Sequence, residues 1–351
     1  MKKLISVMLL AVLPAIVSAI PASAAPAAQG NKVYIPKEVK EPMMAGLAAK
    51  QARMDVPFQI FRTQYLPAQQ AFFQVFFLKI KNADLGFAPS VAAAVVDPAA
   101  AVVDPAAPTQ PKMKAVVNVF IQFHQVENGV TTKLIKEVFV PATLEIDQAA
   151  FDPEKEEWYT VGYPLMPGEY LASIAVASQD LKKIGIQYQD FKLPDPKSFT
   201  TTLETTPVFF MKEYKQVQAP EQKTEFHKGF FAYSVIQVTP NLDNVFALAE
   251  NLDMFFFIFG CQPKEMSKYD IEINFEVYEG EKIAIKFAVG NFESPLVSLP
   301  LQLKQTLQIK KGEEVKTETR DLPPGNYTLV LKIKDKVSGN VGEKRVDFTV
   351  K

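Results

Sequence analysis

Cysteine is nearly absent from this chain of 351 residues: Cys261 stands alone. It has no partner within the chain, so no disulfide framework is expected. It also lies far from the N-terminus, which excludes a lipidated N-terminal cysteine. Histidine is almost as scarce, occurring only at 124 and 227. One cysteine and two scattered histidines do not make a structural zinc site. His124 sits at a predicted strand end beside a hairpin, and His227 sits just ahead of a strand. Solvated or hydrogen-bonded side chains are the expectation for both. Glycine totals 15 and no G-x-G-x-x-G occurs, so no glycine-rich phosphate cradle is present. Arginine occurs only at 53, 62, 320 and 345, which argues against arginine-rich recognition of phosphate or carboxylate. A net charge of −1 gives no support to nucleic-acid binding. No G-x-S-x-G, S-x-x-K or D-x-D-x-D-G pattern is found. The acidic group Asp147, Asp152, Glu154, Glu156 and Glu157 reads as a solvated loop. The chain is therefore expected to be no enzyme, with no catalytic residue, no cofactor and no bound metal.

What is present begins with a leader. Lys2 and Lys3 precede an apolar run from Leu4 to Ile20, and Ala22-Ser23-Ala24 supplies a small-residue cleavage site. These are the three parts of a secretory signal peptide over residues 1–24. Pro14 interrupts the run, which argues against a retained anchor. Met254 to Cys261 is very apolar but only strand length, so no transmembrane segment is expected after the leader. A periplasmic or extracellular location follows.

The rest of the chain repeats itself. Pro167-Gly168-Glu169-Tyr170 is followed by Asp190-Phe191, and Pro324-Gly325-Asn326-Tyr327 by Asp347-Phe348, at the same spacing. Proline presets φ, glycine allows φ > 0, and tyrosine packs a ring while its hydroxyl can cap a loop. Each copy opens one alternating strand and closes with another, as at Tyr327, Leu329, Leu331 and Ile333. Recurrence of Asp190 and Asp347 at matched positions points to a role in the fold. Two copies of one all-β unit are predicted.

The chain divides accordingly. An N-terminal extension covers 25–54, with a short helix predicted over Glu41 to Arg53 that presents Met43, Leu47 and Lys50 on one side. A first sandwich covers 55–195, a linker 196–225 with an extended stretch expected at Pro207 to Tyr214, and a second sandwich 226–351. In the first, strands are predicted at Phe58–Tyr65, Ala71–Lys81, Lys114–Gln125, Thr131–Val140, Tyr170–Ala177 and Ile184–Leu193, with Asn128-Gly129 as a hairpin turn. In the second, Gly229–Thr239 leads, followed by Leu252–Phe259, Tyr269–Tyr278, Lys282–Val289, Leu303–Ile309, Tyr327–Lys334 and Lys344–Val350. Ala94 to Ala100 is duplicated without change at Ala101 to Ala107. Two prolines and no large side chain cannot build a core, so 89–111 reads as a low-complexity insertion. About seven short strands per unit is the profile of an Ig-like antiparallel β-sandwich.

Two strands stand out for their aromatics. Phe72-Phe73-Gln74-Val75-Phe76-Phe77 and Phe255-Phe256-Phe257-Ile258-Phe259 are apolar on both faces. Something must cover the second face: either the other sandwich or the linker, or a partner protein. Phe72, Phe76, Phe255 and Phe257 are thus candidates for a partner surface. Trp158 and Tyr159, with Tyr163, lie near a predicted exposed loop and join them, with carbohydrate stacking as an alternative role.

Leu252 to Phe259 and Leu322 to Asp335 resemble Ig-like β-sandwich regions of secreted Acidobacteria-type proteins. Such regions accompany GWxTD-type or von Willebrand-related domains. Val56 to Gly86 is similar to the upstream part of the same regions, so the resemblance covers most of the chain after the leader. Neither a GWxTD signature nor a metal-ion adhesion motif is present. The resemblance implies a fold and an envelope setting, and assigns no functional residue. The expected function is protein binding or adhesion at the bacterial envelope, with an envelope or extracellular protein as partner. The alternative is self-association into a filament or surface layer, by strand donation from Lys32 to Asp55 or Pro194 to Pro220.

Overall fold

The computed structural model describes residues 33–68, 71–90, 111–265, 267–311 and 314–351. The leader and the duplicated heptads lie outside the described residues. The chain begins with helix α1 (Lys37–Gly46). It continues through β1 (Arg53–Met54), β2 (Phe58–Ala68), β3 (Ala71–Lys81), β4 (Ala88–Pro89), β5 (Lys112–Glu127), β6 (Val130–Asp147), β7 (Glu156–Leu165), β8 (Gly168–Ser178) and β9 (Ile184–Leu193). The second half runs through β10 (Glu204–Thr205), β11 (Phe209–Gln216), β12 (Phe226–Lys228), β13 (Phe231–Tyr233), β14 (Ile236–Asn241), β15 (Val245–Phe246) and β16 (Asn251–Phe259). It ends with β17 (Ile271–Glu279), β18 (Lys282–Lys286), β19 (Gly290–Phe292), β20 (Leu296–Gln302), β21 (Lys304–Lys311), β22 (Glu314–Asp321), β23 (Gly325–Asp335) and β24 (Val341–Val350).

The fold is all-β, as predicted, with a short N-terminal helix. Four sheets carry it. Sheet I has the order β1-β9-β8-β5, with β4 and β6 also paired to β5. Sheet II is β12-β7-β3-β2. Sheet III is β10-β16-β11-β14-β13, with β20 on β16. Sheet IV is β15-β24-β23-β17-β18, with β19 on β17, and β21-β22 is a separate ribbon. Sheets I and II close on a core that includes Phe76, Ile121, Phe123, Val161 and Ile174. Sheets III and IV close on Met254, Phe256, Phe275, Leu329 and Phe348.

The repeated turns have one structural meaning. Tyr170 pairs across strands with Phe191, and Tyr327 with Phe348. The rings stack with centroids 5.4 Å and 5.7 Å apart. Each hydroxyl donates back to the carbonyl four residues earlier: Tyr170 to Met166 at 2.9 Å, and Tyr327 to Pro323 at 2.8 Å. The turn is thereby bonded to the strand it starts. Asp347 accepts from the Thr328 hydroxyl at 2.6 Å, and Asp190 pairs with Lys50. The Asn128-Gly129 turn is also as expected, with both residues at positive φ, 53° and 77°, as a tight hairpin requires.

Other expectations are corrected. Helix α1 spans Lys37–Gly46, not Glu41 to Arg53. Pro36 caps it and Pro42 falls inside, forfeiting only a bond to the carbonyl of Glu38, an exposed residue. The side it buries carries Val39, Met43 and Gly46, while Lys50 lies past its end at φ 51°. The expected linker 196–225 contains β10 and β11, and β11 pairs with both β14 and β16 in sheet III. β12 then returns to the first sandwich and pairs with β7, placing Phe226 in its core. The division at residue 226 therefore does not follow the sheets. Gly229 to Thr239 is two strands, because Ser234 turns at φ 53°. Strand β7 was not expected; Tyr159, Val161, Tyr163 and Leu165 are the alternation that marks it. Ser90 N–H donates to Lys112 O at 2.7 Å, so the ends of the heptad insertion are held together at one point.

Tyr170→Phe or Tyr327→Phe should each lower the unfolding free energy by about 1 kcal/mol, the usual net contribution of one such hydrogen bond. Tyr327→Ala, which also removes the ring from the core, should cost about 3 kcal/mol or more. Urea denaturation of the three variants separates the hydroxyl from the ring.

Candidate functional site

Alternation sends the residues of β3 to two different places. Phe72, Phe76, Leu78 and Ile80 point into the first core. Val75 and Phe77 point the other way, joined by Leu66 of β2. Facing them are Phe209 and Met211 of β11, Phe231, Val238 and Phe255, all from sheet III. Sheets II and III thus pack outer face to outer face, and the molecule is a stack of sheets I, II, III and IV. Phe77 meets Phe231 edge-on at 6.0 Å, and Phe209 lies 5.4 Å from Phe255.

Polar contacts reinforce this seam. Gln64 Nε2 donates to Pro207 O at 2.6 Å, and the Thr160 hydroxyl to Phe230 O at 2.6 Å. Tyr233 donates its hydroxyl to Pro67 O, and Arg62 reaches Leu242 O at 3.4 Å. Gly162 matters here, since a Cβ would stand 2.3 Å from the ring of Phe73. That ring lies against the glycine and reaches Tyr233 across the seam, at 6.2 Å.

The six residues proposed as a partner surface are all drawn inward. Phe72 and Phe76 lie in the first core. Phe255 lies in the seam, and Trp158 packs against Phe77 at 6.1 Å. Tyr159 is fully buried and stacks on Phe226 at 5.1 Å. Phe257 is half-buried beside Phe259, 5.0 Å away. The second apolar face is therefore covered by the other sandwich, not left for another molecule. Adjacent residues on one strand point oppositely, so Trp158 and Tyr159 cannot form one stacking platform. Tyr163 is likewise engaged, stacked on Phe123 at 5.7 Å.

The remaining candidates for chemistry resolve similarly. Glu157 is bonded by Lys155 at 2.8 Å and Lys228 at 3.3 Å, and Glu154 by Lys81 at 3.2 Å. The lysines hold the Glu157 carboxyl below its ordinary range despite its burial. His227 Nε2 bonds Glu221 at 2.9 Å. Glu221, Glu225 and His227 form the one metal-ligand grouping among the described residues. All three come from one short stretch, both carboxylates are exposed, and the imidazole is already taken by Glu221. His124 departs from expectation: it is buried, and neither ring nitrogen has a partner. Among the described residues neither histidine bonds a hydroxyl or a thiol.

A cleft of about 400 Å³ opens at one end of the seam, lined by Phe199, Phe257, Phe259, Cys261 and Tyr269 among others. Burial, with Asp335 nearby, pushes the Cys261 thiol up to about 12. It remains protonated at neutral pH and is a poor nucleophile.

The surface that is exposed lies elsewhere. Among the described residues strand β6 pairs with β5 alone, and no strand pairs with its other edge. Val130, Leu134, Ile135 and Phe139 on it are between 37% and 63% exposed. Phe139 stacks on Phe120 at 4.9 Å, which fixes its ring at the surface. The adjacent apolar pair Leu134-Ile135 in an otherwise polar stretch was the available signal. A register shift near Ile135 and Pro141 interrupt the regularity of this edge.

No family model matches the chain, and no curated protein matches it. Among solved structures, two of Salmonella alpha-2-macroglobulin are found, the Y1175G mutant and the protein reacted with methylamine. They are 9% and 7% identical to this chain, each over 91% of it and 17% of the macroglobulin, with TM-scores of 0.16. This chain thus spans about a sixth of their length, and so low a score carries no argument. Among the described residues no helix is long and apolar enough to cross a membrane.

Phe77→Ala and Phe255→Ala should each cost about 3–5 kcal/mol. Because both residues bridge the sandwiches, calorimetry should resolve two unfolding transitions in these variants and a single one in the parent. Cys261 should be alkylated far more slowly at pH 8 than a free thiol of ordinary pKa, and at the free-thiol rate after unfolding in urea.

Proposed function

We propose that this is a secreted, non-enzymatic β-sandwich protein that binds another protein of the bacterial envelope or extracellular space through the free edge of β6. The observation that carries this reading is that edge itself. Val130, Leu134, Ile135 and Phe139 are exposed on a strand whose outer edge pairs with no other strand among the described residues. A partner segment added there would gain main-chain hydrogen bonds and bury those side chains. The shift near Ile135 and Pro141 limit the stretch able to pair, which favours a short, specific segment over open-ended stacking. The leader-like residues 1–24 and the near absence of cysteine support the envelope setting.

A second reading rests on the same edge: two copies pairing β6 to β6, as a self-assembling subunit. A photo-crosslinking residue at Ile135 or Phe139, in cells producing the protein, should yield one discrete adduct. The same probe at exposed Ile283 on β18 should yield none. Equal labelling at both places, or none at either, sinks the reading. Light scattering of the purified protein should show a mass independent of concentration; a mass rising with concentration, and abolished by Ile135→Lys, selects self-assembly instead.

A further inference from the structure

Part of the outer face of sheet I is covered by the N-terminal segment. Val39 and Met43 of α1, with Ile35, pack on Phe120, Ala175, Ala177 and Ile186. Two ion pairs fasten this segment at its sides. Lys40 Nζ meets Glu137 at 2.9 Å, and Lys50 pairs with Asp190. Tyr188 donates its hydroxyl to Met43 O at 2.8 Å. Residues 33–51 therefore form a strap across the sheet.

The face under and beside the strap carries an anomaly. Gln122 Oε1, the Ser173 hydroxyl and both ring nitrogens of His124 are buried without partners. Gln122 and Ser173 are opposite one another on β5 and β8. His124 is two residues beyond Gln122 on the same strand, so it shares that face. Gln122 Nε2 also donates to Glu137 at 2.9 Å, which links the polar group to the carboxylate that holds Lys40. A buried, unpartnered imidazole is tolerable only while neutral.

We propose that residues 33–51 are an acid-released strap, and that His124 is the group whose protonation detaches it from sheet I. With the strap closed, burial holds the His124 imidazole below its ordinary pKa, against the opposing field of Glu137. With the strap open, the ring is solvated and takes a proton at the ordinary value of about 6.5. The open form then binds more protons, so acid favours opening and closure is recovered as pH rises. Other charges on the surrounding elements are already engaged. Lys37 pairs with Glu41 on α1, and Glu169 of β8 with Lys192 of β9 at 2.7 Å. Lys136 of β6 lies over the ring of Tyr163. Lys40 and Gln122 hold Glu137 below the usual carboxylate range despite its burial, so the Lys40 tether outlasts the window in which His124 titrates. Opening would expose Phe120, Ala175, Ala177 and Ile186 as a new apolar face.

The chain has only two histidines, so its imidazole signals can be followed by proton NMR, with His227→Gln assigning them. His124 should titrate below 6.5. Over the same range, amide exchange of 36–51, corrected for the intrinsic effect of pH, should rise between pH 7.5 and 5.5, by up to about tenfold. Amides of β16 and β23 should not change. His124→Leu should abolish the rise. Titration of His124 at or above 6.5, exchange that is the same at both pH values, or a full rise in His124→Leu overturns the strap. If His124→Leu does not fold, Tyr188→Phe decides. It removes a neutral tether, so it should move the His124 midpoint towards 6.5, and an unmoved midpoint overturns the proposal.

Discussion

Strands β3 and β16 are apolar on both faces, and neither face can be left in water. Each large aromatic ring buried fully contributes roughly 1.5–3 kcal/mol relative to exposure. The inner faces of sheets II and III are satisfied by their own sandwiches. The outer faces find only each other, through Phe77, Phe231, Phe209 and Phe255. That requirement sets the four-layer order, and it explains why the chain weaves. β11 enters sheet III, β12 returns to sheet II, and β13 goes back to sheet III. A chain that crosses the seam repeatedly cannot separate its sandwiches without breaking strand pairs.

The weave makes the first sandwich dependent on the second half of the chain. Its core is completed by Phe226, stacked on Tyr159, and by Phe259, edge-on to Phe72 at 5.6 Å. Within each sandwich the tyrosine turn does the local work. It bonds its own strand start and stacks on the closing strand, so the last hairpin of each unit is locked by sequence-local contacts. Local locks and a long-range seam together bury most of the large aromatic side chains, and among the described residues β6 is the edge strand with the most exposed apolar groups.

That distribution bears on function. Aromatic content in a β protein invites a search for a binding patch among the phenylalanines. Here the phenylalanines of β3 and β16 are structural, and among the described residues β6 gathers four exposed apolar groups on one strand, Val130, Leu134, Ile135 and Phe139. The outer face of sheet I is the other apolar surface of comparable kind, and α1 covers it. One surface is thus open, and the other is closed by a segment held largely by two ion pairs, one hydrogen bond and a few apolar side chains.

Much of the fold was legible in residue order. The P-G-x-Y…D-F repeat, the Asn-Gly turn and the alternation of β3, β16 and β23 are short-range signals, and each was matched by the structure. β7, β20 and β22 were missed because proline, charge or mixed polarity blurs their period. The candidate site was not legible. Trp158 and Tyr159 read as exposed because charged residues precede them, yet β7 is a central strand. Phe209 and Phe210 read as an extended stretch of a linker because prolines surround them, and only their pairing in sheet III was not legible. By itself the sequence determined the class of fold, the two tyrosine-locked hairpins and the need to cover two aromatic strands twice. Only the tertiary structure decided what covers them, since alternation specifies that a face is apolar and not which distant strand will lie against it.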